Sequence, residues 1–305
     1  MRRSGPAKRS VVGQNLKYFM NKKYIPLDKY WTLRMGVLDI LNGYKDINNF
    51  LSQQTSLAGD ILALKNVAEV WETDKPVDVS ECGTLYRMLQ FASWKKGLNK
   101  IFITHATLTD RITRGAISQD PNIVNLSLQE LLKLDKGTSQ WATAAILCGN
   151  TEKLENPEYH IALTYEAREH WHNQRRKREV WEPRYDETID RQAETFLKLL
   201  NGEKPEYIPV QPDEYLFART FSYMSRAEGE KRWPRLAGHE SSRFEEMDKV
   251  IAQVEMGETI ASKDHRVIQA ITMWGIVNKK QVKIAHKDAV NKSWPQFWDF
   301  LAQLV

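Results

Sequence analysis

The chain has 305 residues, of which 42% are hydrophobic and 27% charged, a composition that is typical of a globular protein and excludes an intrinsically disordered one. No apolar run reaches the length of a membrane span, and no apolar signal core follows the basic N-terminus, so we expect a cytoplasmic protein. The formal net charge of +5 is compatible with nucleic acid or with small phosphorylated substrates.

Segments of helical period alternate with shorter strand-like runs along the chain. The predicted helices are 60–71, 83–96, 138–148, 188–200, 214–224, 244–254 and 266–276. The predicted strands are 100–104, 159–164, 207–210 and 281–284. Residues 1–55 show no clean period. The alternation predicts a mixed α and β class, written here as α/β (α+β).

One segment has the composition of a domain boundary. Residues 201–205 (NGEKP) end a predicted helix with glycine and then proline, which cannot continue it. The two cysteines, Cys82 and Cys148, lie in apolar helical context, and we expect both to be free thiols rather than a disulfide.

Polar and charged residues stand at the starts of several predicted helices. Thr84 and Thr138 suit anion binding at a helix N-terminus, although simple capping would also explain them. Arg87 and Arg111 could hold carboxylates or phosphates in two-point contacts, or form surface ion pairs. Asp213 and Glu240 could divide acid and base roles if they converge on one cleft.

Two other functional classes are disfavoured. His170-Trp171-His172 contains the only close histidine pair, without further ligands at a recognised spacing, so we predict no metal site. The basic run 175–178 (RRKR) suggests nucleic acid, but acidic residues interrupt the charge around it, and we do not expect nucleic-acid binding. The sequence has no Walker loop, dinucleotide glycine fingerprint or serine-nucleophile elbow.

The ordered motifs resemble those of the 5-enolpyruvylshikimate-3-phosphate (EPSP) synthase family, the enolpyruvyl transferases of aromatic biosynthesis. Residues 80–87 (SECGTLYR) resemble the family's Gly-Thr-(x)2-Arg helix start, and 109–111 (TDR) its phosphoenolpyruvate-contacting segment. Residues 137–140 (GTSQ) resemble the Ser-Ser-Gln segment that holds shikimate-3-phosphate, and Arg184-Tyr185 is similar to the Pro-Tyr segment after it.

The C-terminal motifs carry the most specific part of the resemblance. Pro212-Asp213 resembles the family's Pro-Asp, and 240–243 (ESSR) resembles its Lys-Glu-(Thr/Ser)-Asp-Arg. Residues 264–266 (DHR) are identical to its Asp-His-Arg, and 292–297 (KSWPQF) resemble its Lys-Ser-(Phe/Tyr)-Pro-x-Phe.

Some family features are altered or missing. The family's first loop, Pro-x-Ser-Lys-Ser-(x)3-Arg, clamps both substrates; we place its nearest match at 6–10 (PAKRS), which supplies Lys8 but lacks a serine and the downstream arginine. His239 and Ser242 replace a lysine and an aspartate, and full members are longer.

The resemblance implies a two-lobed fold of repeated βαβ units around an interdomain cleft, with the second lobe reduced. Residues 11–204 would form the larger, acceptor-binding lobe. Residues 1–10 and 205–305 would form the smaller lobe, which carries the phosphoenolpyruvate and catalytic side. The reduced second lobe leaves room for a protein partner.

The resemblance also implies that the chain transfers the enolpyruvyl group of phosphoenolpyruvate to the 5-hydroxyl of shikimate-3-phosphate and releases phosphate. These two small molecules would be its substrates, with no cofactor and no metal. The implied catalytic residues are Asp213, Glu240, Lys8 and His265. Phosphoenolpyruvate would be bound by Arg87, Arg111, Arg243, Arg266 and Lys292. Shikimate-3-phosphate would be bound by Thr138, Ser139, Gln140 and Tyr185.

Two alternatives stay open. The altered residues at 6–10 and at His239 would reshape the acceptor side, so the acceptor could be a different alcohol. The missing length could instead mark a catalytically inactive homologue that keeps an anion-binding cleft. Retention of Asp213, Glu240, His265 and Lys292 argues against this second alternative.

Overall fold

The computed structural model describes residues 23–134, 138–236 and 243–304. Over these ranges the protein is rich in helix and has four strands of two residues each. The mixed α and β class is therefore confirmed, although the structure holds less strand than the sequence predicts. No helix in these ranges is both long enough and apolar enough to cross a membrane.

The first group of elements packs around a hydrophobic cluster that runs from Trp31 to Trp181. In chain order these elements are α1 (Lys29–Leu41), α2 (Asp46–Ser52), α3 (Gly59–Val70), β1 (Val77–Asp78), α4 (Gly83–Lys95), β2 (Phe102–Ile103), α5 (Ala106–Thr113), a 3-10 turn (Pro121–Asn125), α6 (Leu128–Leu134), α7 (Gln140–Leu147) and α8 (Tyr159–Lys177).

The second group packs around a separate cluster that contains Tyr24, Ile25 and residues from Ile189 to Leu301. Its elements are α9 (Glu187–Leu200), a 3-10 turn (Pro212–Glu214), α10 (Tyr215–Thr220), α11 (Arg226–Arg232), a 3-10 turn (Pro234–Leu236), α12 (Arg243–Glu255), β3 (Thr259–Ile260), α13 (His265–Val277), β4 (Lys283–Ile284), a 3-10 turn (Lys287–Lys292) and α14 (Phe297–Ala302).

The chain passes between the two clusters at an antiparallel bridge between Leu27 and Tyr185. The amide of Asp28 donates to the Arg184 carbonyl at 2.8 Å, and the amide of Asp186 donates to the Pro26 carbonyl at 2.9 Å. The clusters therefore part between residues 181 and 189, earlier than the expected boundary at 204/205. The division into lobes 11–204 and 205–305 stays a prediction.

Each cluster contains one βαβ unit. Strands β1 and β2 pair in parallel, with Val77 opposite Phe102, and α4 connects them. Strands β3 and β4 pair in parallel, with Ile260 opposite Ile284, and α13 connects them. We call these the first and second βαβ units; in each, the crossover helix begins a few residues after its first strand.

Two predicted strands are wrong. Residues 159–164 belong to α8, whose buried side chains recur every three or four residues from Ile161 to Gln174, a period too long to read in six residues. Residues 207–210 alternate as a strand would, but the amides of Val210 and Gln211 donate to the Glu214 carboxylate, at 2.7 and 3.0 Å. A side chain thus replaces the neighbouring strand as acceptor.

Helix α1 was missed because it has no polar face. It buries every residue from Trp31 to Ile40, so its sequence lacks the alternation that marks a surface helix. Its start is nevertheless locally encoded, since the Asp28 carboxylate accepts from the Trp31 amide at 3.0 Å.

Candidate functional site

A cavity of about 650 Å³ lies between residues of both hydrophobic clusters. The sequence-predicted site residues on its lining are Arg111, Thr138, Ser139, Gln140, Asp213, Arg243, His265 and Lys292. Residues 152 positions apart in sequence, Gln140 at the start of α7 and Lys292 before α14, thus share one cavity.

Of the other five predicted residues, three are not on the lining and two lie outside the described residues. Arg87 and Arg266 are buried next to lining residues rather than on the lining. Tyr185 forms the bridge with Leu27 and is not among the lining residues. Lys8 and Glu240 lie outside the described residues, so the structure neither supports nor contradicts their roles.

Within the described residues, the starts of seven helices meet the cavity. The lining residues that occupy the first or second position of a helix are Lys29, Tyr30, Asp60, Gly83, Thr84, Gln140, Tyr159, His160, Arg243 and His265. Helix N-termini carry unpaired N–H groups and a partial positive charge. Their convergence makes the cavity a favourable place for an anionic ligand.

In the first βαβ unit, two guanidinium groups approach one glycine. Arg87 donates to Gln140 Oε1 at 2.6 Å and to the Gly83 carbonyl at 3.2 Å. A Cβ atom at Gly83 would lie 3.1 Å from Nη1 of both Arg87 and Arg111. The absence of a side chain at Gly83 therefore leaves room for both arginines beside the start of α4.

In the second βαβ unit, a carboxylate caps the helix. Asp264 accepts from the Arg266 amide at 2.8 Å, and its other oxygen accepts from Arg243 Nε at 3.0 Å. Burial alone would raise the pKa of Asp264, but the neighbouring Arg243 charge is the main cause that lowers it to about 2. Burial is also the main reason why the pKa of His265 lies well below its ordinary value, so its imidazole is neutral at pH 7.

Asp213 is the most heavily bonded acid of the cavity. Its Oδ1 accepts from Arg243 Nη1 at 2.9 Å, and its Oδ2 accepts from the Tyr30 hydroxyl at 2.6 Å and from Arg266 Nη2 at 3.3 Å. Burial by itself would raise the pKa of Asp213, but the Arg266 and Arg243 charges hold it well below the ordinary value. The carboxylate is ionised and is a weak base in this arrangement.

The start of α1 supplies cavity residues that the sequence analysis missed. Lys29, Tyr30 and Arg34 all line the cavity. Residues 26–34 (PLDKYWTLR) fit the spacing of the pattern Pro-x-Ser-Lys-Ser-(x)3-Arg, with proline, lysine and arginine in place and Asp28 and Tyr30 instead of the serines. The downstream arginine, absent after residues 6–10, was the signal that could have located this segment.

Lys29 is the cation of this segment. Its Nζ lies 3.3 Å from Asp60 Oδ2. Burial would lower the pKa of Lys29, yet the surrounding groups, Tyr30, Asp60 and Asp213 among them, raise it, so the ammonium group keeps its charge.

The start of α8 supplies a second missed group. Tyr159, two residues after Pro157, lines the cavity, which Tyr185 does not. The neighbouring His160 packs its ring 4.6 Å from the Tyr30 ring, measured between centroids. Burial lowers the pKa of His160 to about 4, with the Arg34 charge as a further cause.

The structure also bears on the metal-binding and nucleic-acid alternatives. Within the described ranges, no three histidine, cysteine, aspartate or glutamate side chains are grouped so that they could hold a metal ion. The basic run 175–178 ends α8, and its first residue, Arg175, is paired with Asp39 and Asp46. Cys82 and Cys148 are free thiols.

Comparison with known proteins gave one match. Residues 238–301 match the family model for EPSP synthase (3-phosphoshikimate 1-carboxyvinyltransferase). The matched segment is about a fifth of the chain and contains the second βαβ unit with Arg243, Asp264 and Lys292. The match supports membership of the EPSP synthase family. Searches of curated proteins and of solved structures found no match.

Proposed function

We propose that this chain, whose match to the EPSP synthase family supports an enolpyruvyl transferase, moves the enolpyruvyl group of phosphoenolpyruvate to the hydroxyl of an acceptor alcohol and releases phosphate. Shikimate-3-phosphate is the acceptor implied by the family. The observation that supports this most is the position of Asp213, which lies in the cavity among Arg243, Arg266 and Tyr30.

Phosphoenolpyruvate would lie between the two βαβ units. Arg111 and Gln140 line the cavity from the first hydrophobic cluster, and Arg243 and Lys292 line it from the second. Arg87 stands behind Gln140 and holds its amide oxygen, which turns the amide N–H groups toward other acceptors. A planar guanidinium group matches phosphate and carboxylate in two-point contacts.

The reaction would proceed by addition and elimination. The acceptor oxygen bonds to C2 of phosphoenolpyruvate while C3 gains a proton, which gives a tetrahedral intermediate. The C3 proton then leaves, the bond from C2 to the phosphate oxygen breaks, and phosphate departs. We assign Asp213 to the proton of the attacking hydroxyl and Glu240 to the exchange at C3. The cations would stabilise the phosphate charge throughout.

Lys29 takes the lysine role within the described residues. It is the charged lysine at the start of α1, and it matches the clamp pattern that the sequence analysis placed at Lys8. Its ammonium group would approach the bridging oxygen of phosphoenolpyruvate or the acceptor.

Binding of phosphoenolpyruvate would also activate the base. Arg243 and Arg266 now hold the pKa of Asp213 well below its ordinary value. An anion that draws Arg243 toward itself removes part of that stabilisation, so the carboxylate becomes a stronger base when the second substrate is present. Proton abstraction is then confined to the loaded site.

The acceptor would occupy the side of the cavity formed by α7 and α8. Thr138, Ser139 and Gln140 lie at the start of α7, and Tyr159 lies at the start of α8. Their hydroxyl and amide groups suit a polyhydroxylated ring. His265 is neutral, and it would position the phosphoenolpyruvate carboxylate by a hydrogen bond rather than by charge.

The test is phosphate release from phosphoenolpyruvate, measured with shikimate-3-phosphate and, in a separate assay, with shikimate as acceptor. We expect release by the folded wild-type chain that depends on both substrates. If the chain binds phosphoenolpyruvate but releases no phosphate with any acceptor alcohol, the transferase assignment is wrong and the inactive anion-binding homologue is correct.

A further inference from the structure

Both cations of α1 that line the cavity, Lys29 and Arg34, already bond to other groups of the protein. Lys29 is paired with Asp60 at 3.3 Å. Arg34 donates to Thr164 Oγ1 at 2.8 Å, to the Tyr30 carbonyl at 2.8 Å and to the His160 carbonyl at 3.0 Å. Each of these two cations of α1 that line the cavity is thus already bonded within the described part of the protein.

Tyr30 contacts both Lys29 and Arg34. Its hydroxyl donates to Asp213 Oδ2 at 2.6 Å, and the Lys29 Nζ atom lies 4.8 Å from the centre of its ring. Tyr30, Tyr159 and Val210 also line a neighbouring cavity of about 280 Å³. The Tyr30 ring therefore forms part of the wall that separates the two cavities.

We infer that Tyr30 is the positioning residue of Asp213 and the residue that selects the acceptor, which is an alcohol that presents no phosphate group to the start of α1. This inference rests on the proposed function, because it concerns the acceptor side of the same cavity.

The selection follows from the chemistry of phosphate binding. A phosphate group that loses water needs cations or N–H donors around its oxygens, and leaving them unmatched is costly. Here the Tyr30 ring stands where the clamp pattern has a small hydroxyl residue, and its one polar atom is bonded to Asp213. Glu158 adds a carboxylate to the lining beside Tyr159, which further disfavours a phosphate group.

The positioning follows from the two oxygens of Asp213. Tyr30 and Arg266 donate to Oδ2, while Arg243 donates to Oδ1. When Arg243 turns to phosphoenolpyruvate, Oδ1 becomes the atom that receives the proton, and the Tyr30 hydrogen bond keeps the carboxylate from rotating.

Selection is tested by calorimetric titration of the full chain with shikimate and with shikimate-3-phosphate, in wild type and in Tyr30→Ser. We expect wild type to bind shikimate at least about 10-fold more tightly than shikimate-3-phosphate, and Tyr30→Ser to change that ratio by about 10-fold in favour of the phosphorylated ligand. Tighter binding of shikimate-3-phosphate by wild type, or the same ratio in both proteins, overturns the inference.

Phosphate release measured on the same samples separates the two claims. Preference for shikimate without any phosphate release contradicts the transferase but leaves the selection by Tyr30 standing. Phosphate release with a preference for shikimate-3-phosphate has the opposite meaning: the transferase stands and the selection is wrong.

Positioning is tested with Tyr30→Phe, which keeps the ring and removes the hydroxyl. Because the Tyr30 hydrogen bond lowers the pKa of Asp213, its loss raises that pKa. The acid limb of the kcat/KM profile should move to higher pH, and kcat should fall about 10-fold. The control is Tyr165→Phe, whose hydroxyl bonds the Glu152 carbonyl away from the cavity lining. An unmoved acid limb in Tyr30→Phe rules out positioning.

Discussion

The two βαβ units share an architecture but differ in how their crossover helices begin. In the first unit the cap of α4 is the thiol of Cys82, which accepts from the Leu85 amide, and no acid stands in the first turn. In the second unit the cap of α13 is the carboxylate of Asp264. The first helix start is therefore available to an external anion, while the second is already neutralised by the protein.

The same βαβ architecture can therefore serve two different purposes. In the first unit, Arg87 and Arg111 converge on the start of α4, as anion binding needs. Around the second unit, Arg243 bonds Asp264 and Asp213, and Arg266 bonds Asp213, so these two cations are already paired with carboxylates of the protein. Substitutions that affect binding and turnover separately would sharpen this comparison.

The largest effect is expected for Asp213→Asn. Because the amide cannot accept the hydroxyl proton, phosphate release should fall by about 10²- to 10⁴-fold. The control is Asp248→Asn, which alters an acid paired with Arg219 and Arg226 on the surface of the same region. Turnover of Asp213→Asn equal to that of the control would show that Asp213 is not the base.

A smaller effect is expected for Arg111→Ala, which removes a guanidinium group that approaches Gly83 of the first unit. Loss of a charge-assisted contact should weaken phosphoenolpyruvate binding by about 10- to 100-fold, as measured by calorimetric titration. The matched control is Arg114→Ala, an exposed arginine at the end of the same helix. If both variants bind alike, the first unit is not the anion receptor.

A third effect concerns Asp28, which lies where the chain passes between the two hydrophobic clusters. Burial, with the Asp186 charge as the next cause, raises the pKa of Asp28 to about 6. The folded protein therefore binds this proton more tightly than the unfolded chain, and wild type loses stability as the pH rises from about 4 through about 6. The loss from this group has an upper limit of about 3 kcal/mol.

Asp28→Asn should remove that loss, because an amide oxygen can still cap α1 and carries no proton. In urea unfolding, the variant should gain stability over wild type between pH 4 and pH 7. The control is Asp120→Asn, an exposed cap that accepts from the Asn122 amide. A difference from wild type that is constant with pH would contradict the raised pKa.

The smallest effect is expected for Gly83→Ala. The new methyl group would press on two flexible guanidinium ends at 3.1 Å, so phosphoenolpyruvate binding should weaken by about threefold with little change in stability. The counterpart in the second unit, Gly275→Ala, would meet Val282 and the Lys280 carbonyl. Gly275→Ala should instead lower the melting temperature. Equal effects of the two variants on phosphoenolpyruvate binding would contradict the difference between the units.

Features that depend on neighbours in the chain could be predicted from the sequence alone. The helical periods of α4, α9 and α13 and the caps of their first turns are local, because a helix repeats every 3.6 residues. The motifs also indicated which polar groups belong together, and the cavity does contain Arg111, Gln140 and Lys292.

Features that depend on residues far apart in the chain could be seen only in the tertiary structure. A helix that is buried on all sides, such as α1, shows no hydrophobic period in its sequence. Its residues Lys29 and Arg34 were recognised as candidate site residues only because they line the cavity. The ionisation of Asp213 likewise results from Tyr30, Arg243 and Arg266, which packing brings to it from three separate elements. Electrostatic coupling depends on distance in space and on burial, and neither can be read from the spacing of residues in the sequence.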